Sequence, residues 1–210
     1  MEIALGGLSG TGQIAAMSRS LPAQISDAIN ASDLAAIRQL FTAHPDQLDV
    51  QTFFGGQTWL GYAAQKGQLA VVEALAALGA DINRPGREGV RPIVVAANFG
   101  QADVARWLLA QGAVLDTSAT VRNPLFGAIT GQSPAIVQML LEAGIDASTR
   151  YNDGWDDMDA LAFALMRGDA DCAAHIADHL AAGDAALRVR LLAEADQIAD
   201  HNAKPARRRH

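Results

Sequence analysis

His175 and His179 stand four residues apart with Asp178 between them. On a helix, two histidines at that spacing share one face and can grip zinc, and a neighbouring acid can activate a metal-bound water. That would be the chemistry of a metal-dependent hydrolase. The acid is Asp rather than Glu, no third ligand is evident, and the segment falls where an outer helix packs, so solvated helix histidines are the stronger reading. Gly6 to Gln13 reads GGLSGTGQ, with the glycine density of a phosphate-binding loop. It lacks the lysine that reaches the β- and γ-phosphates, and no Ser or Thr follows at the metal position. Residues 1–20 therefore read as a flexible lead. Cys172 is the only cysteine, which forbids an intrachain disulfide, and it falls at a slot for a small core residue. No catalytic residue, metal or cofactor is expected.

A formal net charge of −7 and a pI of about 5.1 exclude general nucleic-acid binding, because no excess of Lys and Arg exists to replace phosphate counterions. The N-terminus lacks a basic start followed by an apolar run, and nothing approaches the apolar length that spans a bilayer. The expectation is a cytoplasmic chain with no membrane partner; a periplasmic one would look the same once its signal was removed. Arg207, Arg208 and Arg209 make the end at 202–210 a short basic tail.

The elements that must position any site are announced by a repeat. Gly56, Gly67 and Gly79 are followed 33 residues later by Gly89, Gly100 and Gly112. Apolar positions move with them: Leu60, Ala63 and Ala64 return as Ile93, Ala96 and Ala97, and Val72 and Leu75 as Ala105 and Leu108. A period in the low thirties marks a stacked architecture in which no unit can bury its apolar face alone. Within one unit, Thr58–Ala64 and Leu69–Leu78 carry helical apolar spacing, Gly67 breaks between them, and Ala80–Gly89 is turn-rich. A third unit, one residue shorter, holds Pro124-Leu125, Ala128-Ile129 and Gly144, with Gln132 at the mid-unit glycine slot and Ser133-Pro134 opening its second helix.

Helix, turn, helix and hairpin-like loop in 33 residues resembles the ankyrin repeat, on Gly56-Gln-Thr58, Leu60, Ala63-Ala64, Gly67 and Gly79-Ala-Asp-Ile-Asn83. The resemblance implies an all-α solenoid: a degenerate cap at 21–52, units at 53–85, 86–117, 118–148 and 149–182, and a capping helix at 183–201 begun by Asp184 and burying Leu187, Leu191, Leu192 and Ile198. The family's Thr-Pro-Leu-His turn reads Thr58-Trp-Leu-Gly61, Arg91-Pro-Ile-Val94, Asn123-Pro-Leu-Phe126 and Asp159-Ala-Leu-Ala162. No unit keeps the histidine, so the array is expected to rest mainly on apolar contact. The fourth unit's YNDGWDDMD loop is about four residues longer than the family's.

Ankyrin-like arrays contact partners through loop tips and inner helices. The resemblance therefore implies a non-enzymatic module that binds one protein partner and is a monomer when free. Small stand-alone members in bacteria include neutralisers of toxins encoded beside them, which makes an immunity protein a candidate role. Phe53, Trp59, Tyr62 and Phe99 fall at such positions, and Arg87, Arg91, Arg122 and Arg150 fall in successive loops along one edge. Aromatic and arginine side chains are the types that dominate binding hot spots. Tyr151, Asp153, Trp155 and Asp156 in the long loop are the expected exposed anchor, with Asp153 and Asp156 facing a basic partner patch.

Overall fold

The computed structural model describes residues 19–52, 55–154 and 156–203. Phe53, Phe54, Trp155, the Gly6–Gln13 stretch and the arginine tail lie outside them.

Among the described residues eleven α-helices follow one another with no strand between them. Antiparallel pairs build each unit: α1 (Leu21–Asn30) with α2 (Leu34–Ala43), α3 (Trp59–Gln65) with α4 (Leu69–Ala77), and α5 (Pro92–Asn98) with α6 (Ala102–Ala110). The series continues as α7 (Pro124–Thr130) with α8 (Pro134–Glu142) and α9 (Ala160–Met166) with α10 (Ala170–Ala181), and ends in α11 (Ala185–Ala203). The short helices α3, α5, α7 and α9, followed by the long α11, stack into an inner row, and α2, α4, α6, α8 and α10 into an outer row. None of these helices is long and apolar enough to cross a membrane.

The repeat becomes two apolar spines. Leu60, Ile93, Leu125 and Leu161 occupy one slot of the inner row, and Leu75, Leu108, Leu140 and Ile176 one slot of the outer row; all are buried. Each such side chain contributes roughly 1.5–3 kcal/mol on leaving water, and only a neighbouring unit can cover it. Alanines at 63, 64, 96, 97, 128 and 164 keep the rows thin enough to approach closely. Gly131 shows how close: a Cβ there would stand 2.3 Å from the Ala97 carbonyl oxygen.

Local signals set the helix starts. Thr58, Asn123 and Asp159 accept from the amides of Gly61, Leu125 and Ala162 at 3.1, 2.8 and 2.8 Å, so three different residues perform one N-cap task. Asp184 accepts from the Ala186 and Leu187 amides, both at 2.9 Å. Ser133 departs from expectation: its side chain makes no cap bond, and its carbonyl serves the Ile136 and Val137 amides instead. Gln132 takes the left-handed turn, φ 50°, that Gly67, Gly100 and Gly168 take elsewhere. The last helix reaches Ala203, two residues past the expected end, and its fully buried residues are Ala195 and Ala199. Leu187, Leu191, Leu192 and Ile198 are only half-buried, because among the described residues no further unit packs on the outer side of α11.

Four loops project from the helical rows at 55–57, 86–90, 118–122 and 151–158, and each is tied to the next. The Arg87 amide donates to the Gly56 carbonyl at 2.7 Å, and Arg122 Nε to the Glu88 carbonyl at 3.0 Å. The Thr120 amide and hydroxyl both donate to the Asp153 carboxylate. Polar bonds therefore join the units as well as apolar contact, though the family's histidine is missing.

Candidate binding groove

A cleft of about 410 Å³ opens between the loops and the inner helices of the second to fourth units. Its floor is Val94 of α5, Phe126 and Gly127 of α7, and Phe163 of α9. Val90 and Val121 form the loop-side lip, and Val121 is 51% exposed. Asn98 and Thr130 close the far end, while Glu88 and Asp153 stand on the loops at either side of Val121.

The helical pattern explains this floor. Val94 and Phe126 hold the slot that follows each inner-helix spine residue, and Gly127 and Phe163 hold the next one. Phe126 and Phe163 stack with centroids 5.0 Å apart, while Gly127 lets α7 approach α5, where a Cβ would stand 3.1–3.2 Å from Asn98, Ala97 and Val94. Tyr151 meets Phe126 edge-on at 5.2 Å, so three rings brace one another beneath the cleft. Rings held in this way lose little entropy when a ligand seats on them.

Several residues expected at the surface turn inward. Tyr151 is buried, not an exposed anchor, because paired backbone bonds with Met158, both 2.9 Å, fold its loop into a hairpin that aims the ring at Phe126. Its hydroxyl accepts from Asn123 Nδ2 at 2.9 Å and donates to the Thr117 carbonyl at 2.7 Å. Burial raises its pKa. Trp59 is also buried, packed edge-on to Tyr62 at 6.5 Å in the slot where other units carry proline or alanine. Tyr62 is half-buried; its hydroxyl donates to Asn30 of the cap at 3.0 Å, and Lys66 lies over its ring. Phe99 is 51% exposed at the far end of α5.

The loop arginines are mostly internal braces. Arg91 pairs with Asp116 at 2.5 Å in a half-buried site. Hydrogen bonds from Ser118, then Arg91, draw Asp116 down to about 2. Arg122 spends its guanidinium on the Glu88 carbonyl and on Ser118 Oγ at 3.2 Å. Arg150 gathers Asp157, Glu194 and Asp159 at 2.5, 2.9 and 3.5 Å, which pins the long loop to α11. Burial nonetheless raises the Asp159 pKa. Arg87 is exposed at its loop tip. Asp156 is exposed and bound by His201 and Asn202 of α11, at 3.0 Å each through side chain and carbonyl respectively. Asp153 is exposed at the cleft: desolvation pushes its pKa up, but the Thr120 donors prevail and hold it below the ordinary carboxylate value.

His175 and His179 lie on α10, half-buried and exposed respectively, and among the described residues no group of three His, Cys, Asp or Glu is placed to hold a metal. Cys172 is fully buried between the rows, and desolvation pushes its thiol far above the range in which a nucleophile forms. Val121, Phe126, Phe163 and Glu88 were not among the expected binding residues. Their signal was positional: Val94 and Phe126 recur one place after the spine residue, and Glu88 directly precedes the repeat's Gly89.

Residues 61–151 match the family model for ankyrin repeats, in three copies, and the architecture is an all-α ankyrin solenoid. A segment of 85 residues is 38% identical to zygote-specific protein 3 of Chlamydomonas reinhardtii, covering 40% of this chain and 23% of that protein. The chain thus spans about a quarter of the length of that relative. A bacterial origin finds no support in this match. Ankyrin repeats are in general protein–protein interaction modules of a non-enzymatic kind, and residues 61–151 match them.

Proposed function

We propose that this ankyrin array binds one protein partner through the groove between its loop tips and its inner helices, without performing chemistry on it. The observation that carries the reading is the 410 Å³ cleft itself, whose floor is apolar and ring-braced and whose lip presents Val121 to solvent. Floors of this kind supply affinity by excluding water from a packed centre, while polar groups around them set register. A second depression of about 510 Å³ lies on the outer helices between Glu73, Ala76, Ala77, Ile82, Trp107 and Gln111. Its lining mixes three alanines with Ile82, Trp107 and the carboxylates Glu73 and Asp81, and has no set of mutually braced rings. Binding in the groove would act by occluding the partner or by holding it in place; neutralisation of a toxin or enzyme is the occluding form of that role.

Val121→Arg tests the groove. The side chain is exposed in a loop, so the fold should melt at the same temperature as the parent. Affinity capture from the native lysate should give one stoichiometric protein with the parent chain and none with the variant. Equal capture by both would place the partner elsewhere and end the groove reading.

A further inference from the structure

We propose that the segment seated in the groove is extended and carries one large apolar side chain between two basic residues, which pair with Glu88 and Asp153. This rests on the groove reading above and adds the chemistry of the partner.

The two ionisable groups that line the cleft are both carboxylates, and they flank the apolar lip. Glu88 sits in the 86–90 loop and Asp153 in the 151–158 loop, with Val121 between them in the 118–122 loop. Both are anchored. Glu88 has left-handed backbone, φ 59°, and its carbonyl is clamped by Arg122. Asp153 receives the Thr120 amide and hydroxyl, one on each carboxylate oxygen, which leaves each oxygen a further lone pair for an incoming donor. Of the loop cations, Arg91 is paired with Asp116, Arg122 bonds the neutral Glu88 carbonyl and Ser118 hydroxyl, and Arg87 is exposed beside Glu88; none of the three lines the cleft. Arg167 lies over the Phe163 ring at 5.9 Å, after the end of α9, so it stands at the helix end and not among the two carboxylates of the loop side.

An acidic segment laid against Glu88 and Asp153 would bring like charges together as water leaves, whereas Lys or Arg would be steered in and held. The stack bounds the spacing. The two carboxylates belong to loops two units apart, and packed helices lie about 8–10 Å apart, but Asp153 reaches back to Thr120 in the intervening loop, so their separation is under roughly 16–20 Å. An extended chain rises about 3.3 Å per residue, so the basic residues should stand no more than about five or six positions apart with the apolar one between them.

The test is to pan a random peptide library, displayed on phage, against the full chain. Enriched peptides should carry two Lys or Arg no more than about five or six positions apart, with Phe, Leu, Met or Trp between them. Their affinity should fall about threefold in Glu88→Gln and about tenfold in Glu88→Lys, as loss and then reversal of one rim charge dictate. Panning on Glu88→Lys should lose the basic residue at one end. Enriched peptides with acidic or uncharged flanks, still blocked by Val121→Arg, would overturn the charge pairing and leave the groove standing. Peptides indifferent to Val121→Arg would overturn the groove reading itself. Failure to enrich any peptide would overturn the extended-segment chemistry.

Discussion

The side-chain amide of Asn123 donates to the Tyr151 phenol oxygen at 2.9 Å, and that phenol donates in turn to the Thr117 carbonyl at 2.7 Å. Asn123 is the buried N-cap of α7 and Tyr151 opens the next loop, so one chain of bonds joins two units beneath the groove. Where the ankyrin Thr-Pro-Leu-His turn uses its histidine for such ties, here the link is made by a tyrosine of the following loop.

Tyr151→Phe keeps the ring against Phe126 but removes both bonds and strands a buried amide donor. Such a loss costs about 1–3 kcal/mol. Urea unfolding should show the midpoint fall with an unchanged slope. Asn123→Ala made in the same background should then cost less than it does alone, since the two residues share the interaction. Full additivity would show that the bond contributes nothing to stability.

Asp116 couples this edge of the array to pH. Ser118 and then Arg91 lower its pKa from 3.8 to about 2 in the folded chain. A depressed folded value means stability that is fully present above about pH 4 and lost as pH falls towards 2. Asp146, held by Ser148 and Thr149, and Asp153 act in the same sense; Asp159, raised by burial, acts oppositely. With solvent screening, Asp116→Asn should remove about 1 kcal/mol at neutral pH and flatten the acid limb of a melting-temperature profile. An acid limb as steep as the parent's would show that Asp116 does not carry it.

The repeat made the helix pairs and both apolar spines legible, because each spine is a residue type recurring at a fixed offset: Leu60 to Ile93, Leu75 to Leu108. The site was less legible, because periodicity places a residue in a unit without saying which neighbour it meets. Arg150 is an exposed loop residue by sequence, yet it reaches Glu194, 44 positions on, only because α11 returns along the inner row. Tyr151 looks like a loop tip, but the hairpin closed by Met158 turns it inward. Trp59 stands in a proline slot, and the slot is buried whatever occupies it. The groove floor was hidden for the same reason: Phe126 and Phe163 stand one and two places after their spine residues, and the period does not say that their rings meet.

Two glycines separate close packing from backbone strain. Gly131 has an ordinary helical φ of −76°, but a Cβ there would stand 2.3 Å from the Ala97 carbonyl oxygen and 3.0 Å from that of Asn98. Backbone cannot step aside, so Gly131→Ala must push α7 away from α5 and should cost about 1–3 kcal/mol or more. Gly112 is the reverse: φ is +82° and nothing lies within 4 Å. Gly112→Ala should cost about 1–2 kcal/mol through left-handed strain alone. Asparagine tolerates that conformation, so Gly112→Asn should recover most of the loss, whereas Gly131→Asn should be no better than alanine. Because α5 and α7 both floor the groove, Gly131→Ala should also weaken groove ligands under conditions where the chain is fully folded, and Gly112→Ala should not. Equal effects of the two alanines on stability and binding would show that the close approach at Ala97 does not shape the groove.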